Sequence, residues 1–176
     1  MDETEFLDLP LADRLAVAVE GSSEIAVVRR ALQLMAGRNP GDDFLLLVGG
    51  HHAQGILDGA PPLYWPEVWG TRALLYVWAE SAASAVIAGL GNQAWRVREM
   101  SAKVIAERGV EAAAELAEAT TDANARVRAA AVRGLVALGA DDQRDAITAR
   151  LRDPDKEVKQ AARQALDALR RIQGDS

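Results

Sequence analysis

The chain is 176 residues long, enough for one domain or one short array with a continuous apolar layer, and its apolar content of 49% is rich in Ala, Leu and Val but only 5% aromatic, which favours helices over strands. It has no cysteine, excluding disulfides, thiolate metal sites and thiol redox chemistry, and its formal charge of −6 argues against general affinity for nucleic acid or anionic membranes. No apolar run approaches the roughly 18 residues of a membrane span, and the acidic start Met1-Asp2-Glu3-Thr4-Glu5 lacks the basic stretch of a secretory signal, so the expected compartment is the cytoplasm.

From the N-terminus, apolar patterns over 8–20 and 23–37, separated by Gly21-Ser22-Ser23, predict a first helical pair. Asn39-Pro40-Gly41 precedes a helix over 42–58, in which Gly49-Gly50 marks a candidate break. Pro66 opens a second helix over 66–79, and 81–90 reads as the first helix of the next pair, ending at Gly91. Aromatic residues concentrate in this middle segment. Trp65, Trp69 and Tyr76 share one side of a helix and are assigned to the core, leaving Trp78 and Trp95 as interface candidates. His51 and His52 are adjacent, about 100° apart on a helix, so they do not readily share one metal ion and read as surface or capping residues. No Gly-rich phosphate loop lies between a strand and a helix, and no catalytic, cofactor or metal-ligating set is assigned.

Past residue 91 one phrase occurs three times: Asp or Asn, five residues, Val, then a basic residue. It stands as Asn92…Val97-Arg98, Asp122…Val127-Arg128 and Asp153…Val158-Lys159, at spacings of 30 and 31, with Val86, Leu116 and Ile147 repeating upstream at the same intervals. Counting from each Val, offsets 0, 3, 4, 7, 8 and 11 give Val127, Ala130, Ala131, Gly134, Leu135 and Leu138, then Val158, Ala161, Ala162, Ala165, Leu166 and Leu169. That is one apolar stripe per helix. The first copy, Val97, Met100, Ser101, Val104, Ile105 and Arg108, follows it less strictly. Asn92, Asp122 and Asp153 fall at N-cap sites, with Pro154 at a first helical position, and Gly109 and Gly139 suit the left-handed position that ends a helix. Charge is polarised along the chain: residues 1–60 hold ten acids against four bases, a net −6, whereas residues 92–176 hold fourteen acids against fifteen bases, a net +1.

The segments 122–135 and 153–166 resemble HEAT repeats, especially the short bacterial, phycobilisome-lyase-type class, and the resemblance covers 92–172. It implies an all-α, right-handed, armadillo-like solenoid of about five stacked antiparallel helix pairs, with regular repeats over 92–172, irregular ones over 6–91, and 1–176 as a single domain. In that family the turn Asp and the basic residue after Val form a ladder between neighbouring repeats. The resemblance therefore assigns structural pairing to Asp122, Asp153, Arg98, Arg128 and Lys159, weakened at Asn92, which lacks the charge.

Repeat arrays of this kind commonly bind partners on the concave side lined by second helices. Offsets −1 and 6 point away from the apolar stripe and hold Arg96 and Lys103, Arg126 and Arg133, then Glu157 and Gln164. Aligning Trp69 with Val97 adds Val68 and Leu75, with Trp78 also outward; an apolar circumference on 66–79 equally fits burial or a shifted register. The expected partner is a protein or peptide held by Val68, Leu75, Trp78, Trp95, Arg96, Lys103, Arg126 and Arg133, making the chain a non-catalytic scaffold, adaptor or regulatory subunit without cofactor. The alternatives are an enzyme acting in the concavity, DNA glycosylase-like or bilin lyase-like, or a homodimer through the Trp-rich middle. The glycosylase version is disfavoured because only four cations line up.

Overall fold

The computed structural model of the chain describes residues 3–174. Every regular element among them is helical, none is long and apolar enough to cross a membrane, and the chain divides after Ala85 into two compact units.

The first unit contains α1 (Glu3–Asp8), α2 (Leu11–Gly21), α3 (Glu24–Met35), α4 (Asp42–Gly49), α5 (His51–Leu57) and α6 (Trp65–Ala73). Helix α2 packs on α3 and α4 on α6, while α2 also lies against α4 and α3 against α6. First helices thus stack on first helices and second on second, closing a core around Leu15, Val28, Leu34, Phe44 and Leu74. Ser23 caps α3 by accepting from the Ala26 amide at 3.2 Å.

Three boundaries differ from the sequence expectation. The helix expected from residue 8 starts instead after Pro10, whose carbonyl accepts from the Asp13 amide at 3.0 Å. The helix expected over 42–58 divides at Gly50, where φ is 57°, a left-handed value that glycine adopts at little cost. Helix α6 stops at Ala73 rather than 79, because Leu74, Leu75 and Tyr76 donate to carbonyls three residues back and wind the chain more tightly. That tightening turns both Leu74 and Val77 into the core, 0% and 3% exposed, and it breaks the 3.6-residue register on which an extended helix depends.

After one 3-10 turn come α7 (Ala83–Gly89), α8 (Trp95–Arg108), α9 (Ala113–Ala119), α10 (Ala125–Ala137), α11 (Arg144–Ala149) and α12 (Lys156–Gly174). Helix α10 is sandwiched between α8 and α12, with α9 packed on α10 and α11 on α12. This C-terminal half is an α-solenoid of antiparallel helix pairs. Val97, Val127 and Val158 are each 0% exposed, so the three copies of the repeated Val sit in equivalent surroundings, each burial contributing on the order of 1.5–3 kcal/mol. Small residues at offset 4, Ser101, Ala131 and Ala162, are also fully buried and let the second helices approach closely. Gly109 and Gly139 both take φ 62° and end α8 and α10, with Val110 and Ala140 donating back to Ile105 and Leu135 at 3.1 and 3.0 Å.

The predicted N-caps are two residues early. Helix α10 is capped by Asn124, whose side chain accepts from the Arg126 amide at 3.0 Å, and α12 starts at Lys156 below Asp155, which accepts from Glu157 and Val158. Pro154 therefore lies in the preceding turn. The repeated Asn92, Asp122 and Asp153 instead accept from the amide two residues on, at 2.8, 2.7 and 3.0 Å, fixing the turn that leads into the cap.

Candidate functional site on the second helices

The face that α8, α10 and α12 present is held in register by two charged rungs. Arg98 reaches forward from α8 to grip Asp122 in a bidentate pair, Nε–Oδ2 2.6 Å and Nη2–Oδ1 2.9 Å, while its Nη1 donates back to the Asn92 and Gln93 carbonyls. Arg128 repeats the arrangement one step on, gripping Asp153 at 2.8 and 2.7 Å and donating to the Asp122 and Ala123 carbonyls. Each guanidinium therefore ties its own turn to the next repeat's turn, using the planar fork that lysine lacks. Burial alone would raise the Asp122 carboxyl, but the Arg98 hydrogen bonds and the Asn124 amide outweigh it and hold it below the usual carboxylate range. At Asp153 the Arg128 hydrogen bonds dominate, with the same result.

Around these rungs the outward positions of the second helices are occupied as follows. Lys103, Arg126, Arg133, Glu157 and Gln164 are exposed, while Arg96 is half-buried with its guanidinium 4.2 Å above the ring of Trp95, itself half-buried. The row is not uniformly basic. Glu99, only 8% exposed, accepts from Lys103 Nζ at 2.8 Å and from Arg126 at 3.3 Å. Burial pushes its carboxyl up, yet the two cations more than compensate and keep it ionised below the ordinary glutamate range. Four cations thus share the face with one buried carboxylate, which spaces Lys103 and Arg126 across the α8–α10 seam. Beyond it, Val136, Ala161, Ala165 and Ala168 form an apolar groove of about 230 Å³ between α10 and α12, rimmed by Arg133 and Gln164.

The expected residues of the other unit are placed differently. Val68 is 6% exposed and packs inside, because α6 turns it toward the core together with Trp69, so it is not part of an outward patch. Leu75 and Trp78 are half-buried beyond the end of α6, where the tightened turns have moved them off the assumed register; Trp78 donates its backbone amide to Glu24 and its indole N–H to Glu80, both at 2.9 Å. The aromatic core assignment holds for Trp69, at 8%, and fails for Trp65 and Tyr76, which are 36% and 44% exposed. His51 and His52 are both exposed at the start of α5, and His51 Nε2 lies 2.9 Å from Asp8 Oδ1.

Glu99, Val136 and Ala168 were absent from the sequence reading, which placed Ala161 and Ala165 in the apolar stripe without expecting a groove there. Glu99 had a signal, the i,i+4 spacing to Lys103 on one helix; the groove had a fainter one, the small size of the stripe residues Ala161 and Ala165 and of Ala168 beside them on α12. Compared with known families, residues 82–167 match the model for HEAT repeats, and no curated protein matches the chain.

Proposed function

Because the chain carries HEAT repeats over 82–167, we propose that it is a non-catalytic interaction module, a scaffold, adaptor or regulatory subunit, that holds a peptide of a protein partner across α8, α10 and α12. The observation that carries this reading is the juxtaposition of Lys103, Arg126 and Arg133 with the apolar groove beside Arg133. Such a surface suits a segment whose small apolar side chains enter the groove while acidic flanks meet the cations. The charges give orientation and association rate more than affinity, since exposed pairs contribute little. A face with only four cations and a buried glutamate is too short to track a phosphate backbone, which favours a protein over a nucleic acid.

A photo-crosslinking side chain introduced in place of Arg133 tests this. The expected result is one crosslinked partner, lost in a Lys103→Glu, Arg126→Glu background and absent when the probe replaces exposed Glu115 on α9. A crosslink at Glu115 and none at Arg133, or one indifferent to charge reversal, would contradict the proposal.

Self-association is a second reading, favoured by the exposure of Leu63, Trp65 and Tyr76 at 69%, 36% and 44%. Light scattering that finds a concentration-independent monomer removes it.

A further inference from the structure

The N-terminal unit is the acidic one, yet it contains a cleft of about 670 Å³ whose charged lining is wholly basic. Arg14 of α2 and Arg72 of α6 face it together with the imidazoles of His51 and His52, and among the described residues no carboxylate lines it. Asp8 is taken up by His51 at 2.9 Å. The remaining walls are aromatic and aliphatic, chiefly Trp65, Trp69, Val48 and Ile56.

Arg14 is an unusual residue to find here. It is 8% exposed, its Nη1 donates to the Leu46 carbonyl at 3.2 Å, and its buried Nε has no hydrogen-bond partner. Burial first, and then the charge of Arg72, make its protonated form harder to hold than that of an ordinary arginine. A buried guanidinium beside a second cation, without an acid among the cleft's walls, carries a desolvation cost that an incoming anion would offset.

The backbone is shaped around this arrangement. A Cβ on Gly50 would come within 2.8 Å of Arg14 Nη1, and one on Gly49 within 2.6 Å of the Trp69 ring. The glycine pair that breaks the helix between α4 and α5 therefore also makes room for the arginine and the indole. The rings of Trp65 and Trp69 lie 6.3 Å apart and 25° from parallel, a stacked pair at one wall of the cleft. The volume falls within the roughly 300–1,000 Å³ of small-ligand sites.

We propose that this cleft binds a small organic anion: Arg14 and Arg72 take an oxyanion head, a carboxylate or a phosphate, while Trp65 and Trp69 take a flat apolar body. The site lies wholly within the first unit and is independent of the peptide-binding face, so either proposal stands if the other falls.

Three probes with one ring system separate the contributions: 1-naphthoate, 1-naphthyl phosphate and the neutral 1-naphthamide, each titrated against tryptophan fluorescence at neutral pH. Saturable binding of at least one anion is expected, with the amide weaker by about tenfold or more, as for a head group held by charge-assisted bonds. Which anion binds more tightly identifies the head group. Arg72→Ala, at an exposed position, should weaken the anion by about tenfold and leave the amide unchanged, while Arg29→Ala, outside the cleft, should change neither. Trp65→Phe should reduce the fluorescence response, Trp69 remaining in the wall as the second reporter. Equal binding of amide and anions, insensitivity to Arg72→Ala, or no saturable binding of either anion would overturn the assignment. Arg14→Gln, checked for native helicity, supplies a second variant; if it does not fold, the Arg72 result still decides.

Discussion

In the C-terminal unit the second helices approach through alanine, serine and glycine at repeated positions, and two Arg–Asp rungs fix their spacing. In the N-terminal unit α3 and α6 come into close backbone approach at Gly70, where an added Cβ would lie 2.6 Å from the Ala31 carbonyl oxygen and 2.9 Å from the Met35 amide nitrogen. At Gly134, the C-terminal counterpart between α10 and α8, the nearest obstacle is the flexible end of Leu116 at 2.9 Å. One unit repeats a tolerant solution, side chain against side chain. The other uses a singular fit of backbone against backbone, with bulky aromatics filling what remains. Regular spacing and sequence repetition go together because a contact that recurs must use residues that recur.

The sharpest way to break this contrast is to remove a rung. Asp153→Ala leaves the Arg128 guanidinium, whose side chain is 11% exposed, without its carboxylate, and should cost about 3–5 kcal/mol in denaturant unfolding of the C-terminal unit. Asp122→Ala should cost less, because the Arg98 and Asp122 side chains retain 17% and 11% exposure. Equal or negligible losses would show that the rungs do not set the spacing. Acid probes the same bonds together. Both carboxyls are lowered in the folded state, so their contribution is fully present above the unfolded value near 3.9 and is lost as pH falls through the folded values. Stability of the C-terminal unit should therefore drop below about pH 4, and less so in an Asp122→Asn, Asp153→Asn variant.

Gly70→Ala should destabilise the N-terminal unit by about 1–3 kcal/mol, since neither neighbouring backbone group can yield, while Gly134→Ala should be nearly neutral, Leu116 giving way and alanine favouring the helix. Comparing the two melting temperatures checks this. The smallest effect is expected for Asn92→Asp, within about 0.5 kcal/mol, because aspartate keeps the turn and adds only one partly exposed charge.

Legibility followed the same division. Spacings of 30 and 31 placed Val97, Val127 and Val158 correctly, and the resemblance to HEAT repeats assigned Arg98, Arg128, Asp122 and Asp153 to a ladder without fixing the partners; Lys159, assigned with them, forms no such rung among the described residues. The cap positions slipped by two because an aspartate or asparagine can serve a helix start or the preceding turn, and Asn124 and Asp155, two residues on, take the caps instead. Upstream, the break at Gly50 was readable from a glycine pair, but the early end of α6 was not. Leu74-Leu75-Tyr76-Val77 scans as helix, and only packing shows it wound into tighter turns. Projecting the C-terminal register onto Trp69 then misplaced Val68, Leu75 and Trp78. Of the second-helix face, the charged positions were readable from periodicity, whereas the burial of Glu99 and the groove beside Arg133 depend on how close α8, α10 and α12 come.

Segments about thirty residues apart thus form equivalent hairpins, held side by side in register by Arg–Asp rungs. A double-mutant cycle on Arg128→Ala and Asp153→Ala, measured by denaturant unfolding, tests it most directly. A coupling energy of about 2–3 kcal/mol is predicted, near the upper end for contacting residues; additive losses, with coupling near zero, would contradict it.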